Sequence, residues 1–154
     1  MPPRVIEGIE ALQTLIGQEL GVSNPVEVTQ AHINAFADAT GDHQWIHVDP
    51  ERAKTSLPGG ATIAHGFLTL SLLPKLALET FMVKGDFKMG VNYGFNRMRF
   101  PAPVPVGTRL RARFTLLGVE AVSGGFQIAL GDTVESETLA KPALAAEWLV
   151  RYFV

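Results

Sequence analysis

Asp42 and His47 lie five positions apart in the stretch Gly41-Asp42-His43-Gln44-Trp45-Ile46-His47, and the step Ala64-His65-Gly66 opens an apolar run shortly afterwards. A carboxylate and an imidazole within hydrogen-bond reach can hold one water between them and exchange its protons. The first N–H groups of a helix have no intrahelical partner and sit at the positive end of its dipole, so Gly66 can receive negative charge as it develops on an oxygen. Together these residues supply acid/base groups and an anion acceptor for the addition of water. Gln44 carries an amide that both donates and accepts, which suits it to orient the pair. His65, one residue ahead of Gly66, reads either as a donor standing behind the pair or as a residue that only starts the helix.

Other groupings compete with this one. His43 and His47 have the four-residue spacing of a helical metal pair, with Asp42 and Asp49 close by as oxygen donors. Gly41 and Pro50 confine the segment, however, and Trp45-Ile46 reads as a loop crossing the core, so no metal is expected. His32 falls on a polar helix surface and has no expected role. Arg109, Arg111 and Arg113 share one strand face and could meet phosphates, as could Arg97 and Arg99 beside Phe100-Pro101. An alternating basic face is also what a solvated strand presents, and neither set is assigned.

The elements that must carry these groups follow from the spacing of apolar residues. Ile6, Ile9, Leu12, Leu15 and Ile16 recur at helical intervals before Gly17 and Gly21, which predicts an N-terminal helix. Residues 26–28 read as a short extended piece. Thr29 then stands where an N-cap belongs, ahead of Ile33, Phe36, Ala37 and Thr40, and Gly41 closes that second helix at the position glycine favours. Asp49-Pro50 predicts an Asp-capped helical turn, and Leu57-Pro58-Gly59-Gly60 a loop. From 66 to 82, apolar side chains surround the helix almost completely, which predicts a buried central helix of roughly 25 Å with a kink at Pro74. Period-two alternation at 91–95, 109–116 and 126–130, with a final apolar strand at 145–154, predicts a late sheet, with loops at 101–107, 122–125 and 136–142.

Helices early and strands late indicate one α+β domain over residues 1–154, a curved antiparallel sheet wrapped around the long helix. With 13 basic against 15 acidic side chains the net charge is −2, which gives no electrostatic reason to expect nucleic acid or a membrane surface as partner. The absence of cysteine excludes a thiolate nucleophile and a disulfide framework and fits a reducing cytoplasm. Lys75, Glu79 and Pro74 argue against a membrane reading of the central helix, and the first residues lack the pattern of a signal peptide.

The stretch from Phe36 through Gly41-Asp42 and Ile46-His47, the following Asp49-Pro50, and Ala64-His65-Gly66 at the head of the central helix carry a family likeness. From about residue 26 onward the chain resembles the MaoC-like, (R)-specific enoyl-CoA hydratase family of hot-dog folds. It is most similar to the single-domain, nodulation protein N-like branch, on Gly41-Asp42-His43-Gln44 and Arg99-Phe100-Pro101-Ala102-Pro103. The resemblance implies that Asp42 and His47 are the catalytic pair and that the Gly66 N–H polarises a thioester carbonyl. It also implies an acyl-CoA or acyl carrier protein thioester as substrate, no cofactor, and a homodimer paired edge to edge. The departure is Gln44-Trp45, where the commoner family pattern has Asn-Pro. An apolar acyl tunnel would draw on Phe67, Leu70 and Trp45. A hot-dog thioesterase and a non-catalytic acyl-thioester binding protein are the alternatives.

Overall fold

In a computed structural model describing residues 1–154, the chain runs β1 (Arg4–Glu7), α1 (Gly8–Gln13), β2 (Glu19–Val22), β3 (Val26–Glu27), α2 (Gln30–Thr40), α3 (Trp45–Val48), α4 (Pro50–Ser56), α5 (Gly66–Ser71), α6 (Leu73–Thr80), β4 (Phe81–Lys84), β5 (Met89–Arg99), β6 (Arg109–Val122), β7 (Gly125–Glu135) and β8 (Leu144–Phe153). A single 3-10 turn at Pro58–Gly60 follows α4. The main sheet has the order β2-β6-β7-β8-β5 and is antiparallel throughout, with β3 also paired to β6. Register shifts in β6 beyond Leu116 and in β5 around Tyr93 and Asn96 bend those strands.

The period of two survives folding. Leu110, Ala112, Phe114 and Leu116 are fully buried, whereas the arginines between them reach solvent. Facing them, Leu68, Leu73, Leu76 and Ala77 of α5 and α6 join Ile128, Leu130, Trp148 and Val150 in one continuous core. Each such leucine or isoleucine contributes roughly 1.5–3 kcal/mol relative to exposure. The central helix thus lies across one face of the sheet, as the α+β reading expects. No helix is long and apolar enough to cross a membrane.

Three expectations are corrected. The N-terminal helix is only Gly8–Gln13, because Arg4–Glu7 instead pairs in parallel with Phe81–Lys84, and Glu19–Val22 adds a strand to the main sheet. The backbone pairing offered by distant strands overrides the local helical spacing. The central helix shows the expected interruption ahead of Pro74, at Leu72, but it ends at Thr80, so that Phe81 and Met82 lie in β4. Pro74 has no N–H for the Leu70 carbonyl, which accounts for the break. That helix is buried on one side only: Phe67 and Leu78 remain 62% and 65% exposed. Finally, residues 45–48 form a helical turn rather than a loop, closed by His47 N–H to Gln44 O (3.0 Å) and Asp49 N–H to Trp45 O (3.0 Å).

Candidate active site

Asp42 is delivered by the end of α2. Thr29 caps the start of that helix by accepting from His32 N–H (3.1 Å), and His32 Nδ1 accepts from Thr29 N–H in return (3.4 Å), so His32 serves as a cap. At the far end Gly41 adopts φ +80°, a left-handed turn that a β-carbon would strain, and throws Asp42 out of the helix line. The Asp42 carboxylate accepts from Gln44 N–H at 3.3 Å, so the contact Gln44 makes with Asp42 comes from its backbone. The Asp42 side chain is 55% exposed.

His47 rides on α3, which is fixed on several sides. Its Nδ1–H donates to the Ile63 carbonyl (2.6 Å), leaving Nε2 as the atom free to meet a water. Gln30 Nε2–H donates to the His47 carbonyl (2.8 Å), and the buried Thr62 hydroxyl donates to Gln30 Oε1 (2.6 Å). The Arg52 guanidinium lies 4.1 Å over the Trp45 ring and ties α3 to α4, whose N-cap Asp49 accepts from Arg52 N–H (3.1 Å). The chain therefore braces its Gln44-Trp45 variant of the loop with a cation over an aromatic face.

His65 is more deeply engaged than its sequence position suggests. It is buried, stacked on His47 at 3.8 Å between ring centroids, and flanked by Phe36 at 4.9 Å. Its Nε2–H donates to the Asp42 carbonyl (3.0 Å) and lies 4.0 Å from the Asp42 carboxylate, while its Nδ1 is buried with no partner. His65 thereby holds the backbone of Asp42 and the ring of His47 at once. Asp42, His47 and His65 each place one ligand-type atom within 4.8 Å of the others.

Gly66 is the first residue of α5. It borders a cavity of about 330 Å³ together with His47, Thr69, Phe100, Val104 and Ala143. A β-carbon at Gly66 would stand 3.1 Å from the Phe100 ring, so glycine lets that ring close over the helix start. Larger grooves of about 620 Å³ elsewhere on the surface contain none of these side chains.

The remaining sequence candidates are placed elsewhere. His43 faces outward and pairs with Asp38 at 2.9 Å, and that hydrogen bond raises its pKa; it does not converge with His47. Arg111 and Arg113 both bind Glu135 (3.2 and 2.5 Å), and Arg113 also meets Glu19 (3.4 Å), so two of the three strand arginines are already neutralised. Phe67, Leu70 and Trp45 do not line the cavity at Gly66. Gln30 and Thr62 are residues beside the site that the sequence reading passed over, and Phe100 entered it only as part of the family-like stretch at 99–103. The partners that reveal the first two lie 17 and 32 residues away, so no local spacing announces them.

The chain as a whole has relatives among known proteins. The model of the MaoC like domain matches residues 11–138. The chain belongs to the MaoC-like dehydratase family. This MaoC-like chain is 54% identical over 150 residues to 3-hydroxyacyl-thioester dehydratase Z of Mycobacterium tuberculosis, covering 97% of this chain and 98% of that one. It is 47% identical over 139 residues to nodulation protein N of Rhizobium meliloti, covering 90% and 86%. In three dimensions it superposes on the (R)-hydratase from A. caviae involved in PHA biosynthesis with a TM-score of 0.70 at 24% identity, covering 88% and 94% of the two chains. The MaoC-like chain has the hot-dog fold, with its sheet curved about α5 and α6.

Proposed function

We propose that this chain adds water across the double bond of a trans-2-enoyl thioester to give the (R)-3-hydroxyacyl thioester, or runs the reverse dehydration. The observation that carries this reading is the nearness of Asp42 to His47, the latter bordering the cavity that also exposes the N-terminus of α5. Two acceptor atoms within 4.8 Å can share one water, each at an ordinary hydrogen-bond distance.

The chemistry requires three services. The pair removes a proton from the water as its oxygen bonds to C3 of the enoyl group. The π electrons of C2=C3 shift toward the carbonyl, and the Gly66 N–H receives the enolate charge on the thioester oxygen. The enolate then collapses as a proton is delivered to C2, which restores the thioester and returns the pair to its starting state. Losing one such oxyanion donor costs on the order of 2.7–4 kcal/mol of transition-state stabilisation. Which of Asp42 and His47 moves each proton is left to the pair as a unit.

The acyl chain has a place to go. A second, largely apolar cavity of about 370 Å³ is lined by Pro74, Ala77, Phe81, Leu130, Trp148 and Val150. Thr69 borders the first cavity and Pro74 this one, five residues or about 7.5 Å further along the helix. The carrier thiol is coenzyme A or an acyl carrier protein.

The whole chain acts as one MaoC-like unit, in the cytoplasm and as a homodimer. Support for the dimer comes from β5, an outer strand of the sheet on which Met89, Val91 and Tyr93 are exposed; a free apolar edge of this kind favours pairing with a second copy. Light scattering on the purified protein should give the mass of two chains, and a single-chain mass at working concentration contradicts the dimer.

The functional test is to mix the protein with crotonyl-CoA and a longer enoyl-CoA and follow loss of the conjugated absorbance, product configuration and free thiol together. Loss of absorbance with (R)-3-hydroxyacyl-CoA as product supports the proposal. Thiol release would make the chain a thioesterase, and saturable binding without turnover a carrier of acyl thioesters.

A further inference from the structure

The way from the Gly66 cavity to the apolar cavity crosses one polar row of the sheet. The first cavity meets the sheet at Ala143, whose neighbour Leu144 pairs with Val134. The second begins at Leu130 and Trp148, which pair with each other. Midway between these pairs Asp132 lies opposite Ala146, roughly 6.6–6.8 Å along the strand from either. Phe114 and Met98 complete its row. An acyl chain laid along the helix from Gly66 into the apolar cavity passes over that row.

Asp132 is poorly matched to a plain alkyl chain. It is nearly fully buried, and neither carboxyl oxygen has a hydrogen-bond partner. Strand alternation puts it on the face of Leu130 and Val134, turned away from the groove that Arg97, Thr115 and Thr133 line on the other side of the sheet. Burial pushes its pKa up to about 8, so at neutral pH it is mostly the uncharged acid, which both donates and accepts. The helix brings a second such group. Thr69, three residues past Gly66 in α5, borders the first cavity, is nearly fully buried, and has a hydroxyl without a partner. An alkyl chain would leave both groups unpaired, whereas a hydroxyl on the chain can give a hydrogen bond to one and take one from the other.

We propose that Asp132 is a specificity-determining residue, and that the favoured acyl chain carries a hydroxyl beyond C3, which Asp132 binds where the chain passes from the first cavity to the second. The reaction rests on the proposed function; the class of acyl chain is added to it by Asp132. A site built around a buried polar group discriminates strongly against an analogue that leaves that group unpaired, far more than an apolar pocket discriminates by size.

The test compares trans-2-octenoyl-CoA with its analogues hydroxylated at each carbon from C5 to C8, by kcat/KM on the full chain. At least one analogue should exceed the plain chain by about tenfold or more. Asp132→Leu should abolish or reverse that ratio, and Asp132→Asn, whose amide also donates and accepts, should keep most of it. Asp132→Ala adds no bulk and keeps the test decisive if leucine disturbs the core. Calorimetry with octanoyl-CoA and the matching hydroxyoctanoyl-CoA reads the same preference as binding, without turnover. No preference for any hydroxylated chain, or a preference that survives both Asp132→Leu and Asp132→Ala, overturns the inference. A protein that binds the hydroxylated chain through Asp132 but hydrates nothing refutes the functional reading and leaves the site standing. One that hydrates plain and hydroxylated chains alike refutes the site alone.

Discussion

His47 and Asp42 reach their positions by opposite means, one buried and anchored through its ring, the other half exposed and held by its backbone. Replacing either of the two residues proposed as acid and base tests the pair. Asp42→Asn and His47→Gln should each lower kcat on an enoyl-CoA by at least about a hundredfold, with circular dichroism unchanged. Near-normal turnover in either variant would remove that residue from the mechanism. At this scale much of the site was legible in the sequence, because Asp42, His47 and Gly66 sit beside local signals: a C-terminal glycine, a capped turn and a helix start. His65 was half legible. Its place before Gly66 was plain, but its stacking on His47 and its hold on the Asp42 carbonyl depend on a loop 23 residues away.

Elements place these residues through contacts between segments distant in sequence. Gln30, in the first turn of α2, links the His47 carbonyl to the Thr62 hydroxyl and so fastens α3 to the strand-like segment ahead of α5. Gln30→Ala removes one donor and leaves the nearly fully buried Thr62 hydroxyl without its acceptor. The variant should lose about 1–3 kcal/mol of unfolding free energy in urea, and kcat should fall while KM changes little. A stable variant with unchanged kcat would mean that α3 is held adequately without Gln30. Capping residues and turn residues announced α2 and α4 well. The N-terminal strand and the turn at Trp45 were not announced: β1 exists because β4 offers it a partner 77 residues on, and α3 because Arg52 and Gln30 grip it.

The sheet of the whole molecule carries a carboxyl that its core does not accommodate. Asp132 on β7 is 2% exposed, lies opposite Phe114 and Ala146, and has no hydrogen-bond partner on either carboxylate oxygen. Burial pushes its pKa up to about 8. A carboxyl whose folded pKa exceeds its unfolded value near 3.9 favours the fold below that value and loses this contribution as pH rises toward about 8. At pH 7 the loss is on the order of 4 kcal/mol. Asp132→Asn cannot ionise, so its unfolding free energy relative to the original chain should rise steadily from about pH 4 to about pH 8. A difference independent of pH would show that Asp132 is ionised, or solvated, in the folded protein. The period of two in β7 marked the neighbours of Asp132 as core but gave no warning that a carboxyl would share their face. The exposed Phe67 and Leu78 were misjudged for a related reason: apolar side chains all round a helix do not say which of them meet the sheet.

Where the water oxygen ends up tests the central claim most directly. Crotonyl-CoA incubated with the protein in water carrying heavy oxygen should yield 3-hydroxybutyryl-CoA with the label on C3, the thioester intact, and little labelled product with Asp42→Asn. Label in the carboxylate of a free acid, or no label in any product, would contradict it.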